Sequence, residues 1–149
     1  MPFYGYDPAN NPLNTTEWAF PVCEVLHIIG FVLLIGTIMI VDLRLLGVGM
    51  RRQTSAQLVE QTAPWTLLGL ALVLTSGPAI FSSDPVLYLY NASFRYKITV
   101  LILSMIFNWT LHRKVAMSAN PGGLGVVVGA ASILMWGSLI FAGIFIAFV

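Results

Sequence analysis

Four separate runs of apolar residues, each long enough to cross a bilayer as a helix, constrain this chain more than any other feature. A helix needs about 20 predominantly apolar residues to span the hydrocarbon core. The runs lie at roughly 18–47, 62–82, 94–117 and 124–149. Between them stand short segments rich in Gly, Pro, Asn and Ser, such as Asn120-Pro121-Gly122-Gly123 and the breaker Thr75-Ser76-Gly77-Pro78 at the end of the second run. The pattern predicts an all-α, integral membrane four-helix bundle occupying residues 1–149 as a single transmembrane domain. Thr15 and Thr16 are expected to cap the first helix, with Pro21 in its tolerated first turn.

Composition supports lipid as the solvent. Charged residues make up 9% of the chain and hydrophobic residues 58%, whereas about 25% charged residues is usual in a soluble domain. The formal net charge of +1 gives no electrostatic footprint for nucleic acid. One cysteine, Cys23, rules out an internal disulfide and any cysteine-only metal cluster. Residues 1–17 contain no Lys or Arg and include two prolines, unlike the basic start of a signal peptide, so the first run is expected to stay as an anchor.

The connecting segments set the orientation. Arg44, Arg51 and Arg52 fall around the first loop, and Arg113 and Lys114 around the third, on the same side of the membrane; the other side has Arg95 and Lys97. Positive residues favour the cytoplasm. The expected protein is therefore a multi-pass protein of a bacterial inner (cytoplasmic) membrane, with both termini on the periplasmic side. Trp18, Tyr88, Tyr90 and Tyr96 would form an outer aromatic belt, Trp65 and Trp109 an inner one. Residues 82–96 read as the longest outer loop. In the fourth run, Gly125 and Gly129 form a small-xxx-small pattern, which serves either packing within one chain or the seam of a homo-oligomer.

Ionisable groups inside a membrane are costly and need a reason. The first run holds Glu24, His27 and Asp42. Glu24 and Asp42 are about five helical turns apart on one line, with His27, Phe31, Ile35 and Ile38 within about 60° of it. In the third run Lys97, Ser104 and Asn108 lie within roughly 20° of one another. Lipid satisfies neither stripe, so the first and third helices are expected to flank the functional interior. His27 lies about 12 Å deep from the outer edge and Lys97 about 5 Å. His112 sits near the opposite end of the third helix, which argues against a bis-histidine site with His27 in one protomer. Asp42 is expected to pair locally or with Arg113, and His112-Arg113-Lys114 to anchor the interface.

Each candidate has a plain reading as well. His27 is a possible axial ligand, a proton carrier assisted by Glu24 one turn away, or a structural hydrogen-bonding residue. Lys97 can snorkel to the interface, pair with Glu24, or act as a ligand once deprotonated. Met105, near the depth of His27, is a packing residue or a ligand.

The run Leu26-His27-Ile28-Ile29-Gly30, followed by Gly36 and Asp42-Leu43-Arg44, resembles a pattern shared by several small bacterial membrane families. One is the copper-resistance D-like family; another is the small four-helix protoporphyrinogen IX oxidase family. The overall pattern from Trp18 onward looks closest to an uncharacterised bacterial family of small four-helix membrane proteins. In the oxidase family a histidine of the first helix and a lysine of the third hold haem b. His27, and Lys97 in Phe94-Arg95-Tyr96-Lys97, fall at corresponding places. That family has a Trp-x-x-Gly-rich middle where this chain has Leu33-Leu34-Ile35-Gly36, so the resemblance implies a haem pocket more than the oxidase activity.

The expected function is a membrane haem b protein for electron transfer or oxidation of a small lipophilic substrate. Its haem would sit between the first and third helices, with quinone or a periplasmic cytochrome as partner. His27 would be the axial ligand, Lys97 or Met105 the sixth ligand or propionate partner, and Glu24 and Asn108 their surroundings. The alternatives are a carrier or channel for protons, copper or a small solute, and an accessory subunit of a larger membrane complex.

Overall fold

The computed structural model describes residues 6–146 and Phe148; the first five residues, and Ala147 and Val149 of the fourth run, lie outside the described residues. The described residues are all-α, without strands. After a 3-10 turn at Pro8–Asn10 come α1 (Pro12–Thr15), α2 (Ala19–Leu45), α3 (Ser55–Ser83), α4 (Pro85–Tyr90) and α5 (Ala92–Phe107). A π-helical turn, Asn108–His112, carries α5 without a break into α6 (Arg113–Ala116), and α7 (Gly122–Phe145) follows. Three of these, α2, α3 and α7, are long and apolar enough to cross a membrane. They leave large apolar side chains uncovered, among them Val32 (66% exposed), Leu134 (74%) and Phe141 (66%), as a surface facing hydrocarbon does.

Several boundaries differ from the sequence expectation for physical reasons. The N-cap of α2 is Trp18, without a side-chain cap, and not Thr15 or Thr16; Thr16 instead closes α1 through its N–H to Pro12 O. Helix α3 begins seven residues before the apolar run, because Thr54 builds a capping box. Its Oγ1 accepts from Gln57 N at 3.1 Å, and Gln57 Oε1 accepts from Thr54 N at 2.9 Å. The breaker at 75–78 does not end α3, which runs through both Pro64 and Pro78. In a spanning helix a proline kinks without terminating, since unwinding exposes still more backbone to lipid. Residues 82–96 are not one loop. Asp84 and Asn91 each cap a new helix by accepting from Leu87 N and Phe94 N.

Helix α2 is the hub. It packs along α3 on one side and α7 on another, while α5 packs along α7. The α2–α3 crossing turns on Gly30 and Gly69, whose backbones meet so closely that a Cβ on Gly69 would lie 2.6 Å from Leu34 N and 2.7 Å from Gly30 O. The Gly125/Gly129 pattern faces α2 within the same chain, a Cβ on Gly129 falling 3.1 Å from Asp42 O. Close approach of this kind replaces the hydrophobic drive that lipid removes. Leu34, Ile35, Ile38, Val73, Leu101, Trp136 and Leu139 form the central core, with Met105 packed against it.

Helices α3 and α5 do not pack along each other through their middles. Helix α3 is joined to α6, where Ser55 Oγ donates to Ala116 O at 2.6 Å, and to the start of α5, where Phe81 stacks on Phe94 with centroids 5.6 Å apart. Between these joints lies a lateral gap floored by α2.

Candidate functional site

The polar stripe of α2 divides in two. Ile35, Ile38 and Asp42 are buried, His27 and Phe31 are half-buried, and Glu24 is exposed. The expectation that the whole stripe turns inward holds below Phe31 and fails at Glu24, which sits in the second turn of α2, before that helix meets its neighbours closely.

His27 turns toward α3. Its Nδ1 lies 2.8 Å from Ser76 Oγ, and its ring meets the Phe31 ring edge-on at 5.0 Å. The Ser76 hydroxyl has one proton, and that proton goes to Leu72 O at 2.5 Å, because a carbonyl only accepts. Ser76 Oγ therefore accepts from His27 Nδ1–H, and the imidazole keeps its lone pair on Nε2. The partner on the first nitrogen thus sets which nitrogen is free for a ligand. Gly77 leaves the ring its space: a Cβ there would sit 3.3 Å from His27 Cε1. Cys23 Sγ, one turn up, points to Ser76 O at 3.6 Å.

Lys97 is half-buried, and its Nζ stands 4.6 Å from the centroid of the Phe31 ring. Phe31 thus touches both His27 and Lys97. A cation on an aromatic face is favourable, more so away from water. Gly143 of α7 lies on the other side, where a Cβ would be in ordinary contact with Lys97 Nζ at 3.5 Å. Among the described residues no ion pair joins Lys97 to Glu24. An imidazole and an amine, the donor types expected of a haem site, therefore both contact one aromatic ring.

The other expected members lie elsewhere. Met105 and Asn108 follow Lys97 by eight and eleven residues, about 12 and 16 Å along the helix at about 1.5 Å per residue. Met105 packs against the core. Asn108 is buried at the opposite half of the bundle, where it lines a cavity of about 90 Å³ with Thr37, Thr66, Trp109 and His112.

That half contains what the sequence reading missed. His112 is 3% exposed and its Nε2 lies 2.5 Å from Oδ1 of Asp42, itself 1% exposed. Asp42 pairs with His112 and not with Arg113; Arg113 and Lys114 are exposed, while His112 is no interfacial anchor but a core residue. Its place in the π turn, a feature frequent at functional sites, brings it to the interior together with Asn108. The signal available was the spacing of Asn108 and His112 by four. Above the pair, Ser104 Oγ, Ser132 Oγ and Trp136 Nε1 are buried without a hydrogen-bond partner among the described residues, as is Asn108 Oδ1. Among the described residues no three of His, Cys, Asp or Glu gather as a bare metal ion requires.

Residues 18–149 match the model of a family of unknown function, DUF6644, and the chain belongs to that family. No curated protein and no solved structure matches it.

Proposed function

We propose that this member of the DUF6644 family is a four-pass membrane haem b protein whose group is held by His27, with Lys97 as the opposite ligand or propionate partner. The observation that supports the reading is the place of His27: its Nδ1 lies 2.8 Å from Ser76 Oγ, and the Nδ1–H tautomer of that pair would leave the Nε2 lone pair for a haem iron. Lys97 across Phe31, the glycines beside both side chains and the resemblance of the Leu26–Gly30 run support it. Bound haem would supply one-electron chemistry, for electron transfer or oxidation of a small lipophilic molecule.

The chain's own residues do the positioning. Ser76 orients the imidazole, the Gly30–Gly69 crossing fixes α2 against α3 at that height, and Phe31 lies where it shields the interior from either ligand. The fourth crossing is the continuous α5–π–α6 segment, and the positive residues near the α2–α3 and α6–α7 turns put those turns in the cytoplasm and both termini outside. His27 and Lys97 then belong to the outer half.

The test is the visible spectrum of protein purified from membranes supplied with haem. A Soret band is expected, with His27→Ala removing it and Ser76→Ala shifting or weakening it. A colourless wild type, or a His27→Ala spectrum identical to wild type, refutes the reading.

A further inference from the structure

A larger cavity, of about 430 Å³, opens at the end of the bundle away from His27, between the α2–α3 turn and the α6–α7 turn. Ligand clefts usually measure about 300–1,000 Å³. Leu45, the last residue of α2, Ser55, the first of α3, and Gly122, the first of α7, all border it. It therefore stands where three helices long and apolar enough to cross a membrane come to their ends, the level at which hydrocarbon gives way to headgroups. Arg44 also lines it, 17 residues beyond His27 on the same helix. At about 1.5 Å per residue that is about 26 Å from the His27 site.

Among the described residues the lining carries a cation and no carboxylate. Arg44 is half-buried, and its Nε–H donates to Gln53 O at 2.6 Å. That bond fixes the plane of the guanidinium and leaves the two Nη groups for another acceptor. Among the described residues no carboxylate pairs with Arg44. Thr54, Ser118 and Asn120 add polar groups to the wall. Thr54 Oγ1 already accepts from Gln57 N, so its own hydrogen is the part left to donate. The surroundings have the same sign. Arg44, Arg51, Arg52, Arg113 and Lys114, five of the 7 Lys and Arg residues, lie in or near the two turns. The acidic residues on the same stretches are Asp42, taken up by His112, and Glu60 of α3. A planar, half-buried guanidinium without an internal counter-ion matches a phosphate, whose oxygens accept parallel N–H bonds from its fork.

We propose that this cavity binds one anionic phospholipid headgroup per chain. The phosphate lies on the Nη groups of Arg44 with Thr54 beside it, and the acyl chains pass out between the helix ends into the adjacent leaflet. A free phosphate ester would satisfy the same guanidinium. The lipid is favoured because the cavity stands at headgroup level and the basic residues around it concentrate anionic lipid there. Surface arginines alone attract such lipids without holding any one of them. The cavity is what makes a site of fixed stoichiometry.

The experiment is native mass spectrometry of the full chain in a non-ionic detergent, titrated with an equimolar mixture of phosphatidylglycerol and phosphatidylcholine with the same acyl chains. One retained phosphatidylglycerol per chain is expected, with at least a tenfold preference over phosphatidylcholine. Arg44→Gln is expected to bring the preference below twofold. Ala119→Trp, which fills the cavity from its rim without changing charge, is expected to do the same. The double variant Arg51→Gln and Arg52→Gln removes two surface charges and leaves the lining intact; it is expected to stay within twofold of wild type. Inorganic phosphate and glycerol 3-phosphate at hundredfold excess are expected not to displace the lipid. Equal retention of both lipids overturns the proposal. So does a wild-type preference in either folded cavity variant, or a loss in the double variant equal to that in Arg44→Gln. Displacement by either soluble phosphate overturns the lipid assignment and gives the cavity to a free phosphate ester. Should Arg44→Gln not fold, Ala119→Trp carries the test, since Ala119 is exposed and lies outside the helices.

Discussion

Replacing Gly69 by alanine tests the central joint of the molecule. The new Cβ would stand 2.6 Å from Leu34 N and 2.7 Å from Gly30 O. Both neighbours are backbone, so no side chain can swing aside. An ordinary contact starts at 3.4 Å, and the shortfall at Leu34 N means that α2 and α3 must part by about 0.8 Å. A radial gap of about 0.5–1 Å forfeits roughly a quarter to a half of the dispersion energy of each atom pair it opens, and overpacking of this kind costs about 1–3 kcal/mol. The same shift reaches the candidate site. His27 is three residues beyond Gly30's level and Ser76 seven beyond Gly69. A bond of 2.8 Å stretched by about 0.8 Å is no longer a hydrogen bond. Reversible unfolding in mixed detergent and SDS micelles measures the first effect, and the haem absorption of loaded protein the second. Gly36→Ala is the control, on the partner helix α2 with nothing within 4 Å of its Cβ; alanine there is expected to be neutral or stabilising, since glycine costs about 1 kcal/mol in a helix interior. Gly69→Ala as stable as wild type, or Gly36→Ala equally damaging, would refute the reasoning.

Two further substitutions probe the other end of α2. Asp42→Ala removes one member of a fully buried pair and is expected to destabilise by about 3–5 kcal/mol; replacing Asp42 and His112 together by leucine should restore most of the loss in the same unfolding assay. Thr54→Ala breaks the capping box of α3 and should cost about 1 kcal/mol, with faster amide exchange confined to the first turn near Gln57 and Leu58.

Three long apolar helices were legible because lipid imposes length and apolarity directly on sequence, and Ile35, Ile38 and Asp42 point inward as their spacing requires; the third run is instead divided into α5, the π turn and α6 and is not among the helices long and apolar enough to span. The helix ends were less legible. Thr54 and Gln57 lie outside the apolar run, so hydropathy ignored the seven residues their capping box adds to α3. Pro78 looked like a terminator because the rule comes from helices in water, where water takes up freed carbonyls. At the candidate site, His27 and Lys97 were singled out as ionisable groups in apolar runs, and both contact Phe31. The partner of His27 was not, because Ser76 sits within the supposed breaker and helical wheels say nothing about which helix is the neighbour. His112 was misjudged for a related reason. Its flanking Arg113 and Lys114 are exposed, and nothing between Asn108 and His112 announces the π turn that carries both to the interior.

The packing gives the two polar regions of the bundle different mechanical standing. Helix α2 is clamped by backbone on two sides, to α3 through Gly30 and Gly69 and to α7 through Gly129. It meets α5 through the Lys97–Phe31 contact and the π turn through the Asp42–His112 pair, both between side chains. Helix α5 rests on α7 and is tied to α3 at its start through Phe81 and Phe94, while α6 beyond the π turn is tied to α3 through Ser55. Outward movement of its middle therefore breaks no backbone contact with α2 or α3, whereas any shift of α2 against α3 breaks several. His27 belongs to the α2–α3 joint, where Ser76 of α3 meets its ring. Asn108 and His112, which belong to the α5 side, border the one gap that can widen without dismantling the crossing. A fixed imidazole at one end and an accommodating lateral gap at the other follow from the same arrangement: close glycine contacts at two helix pairs, and none between α3 and α5.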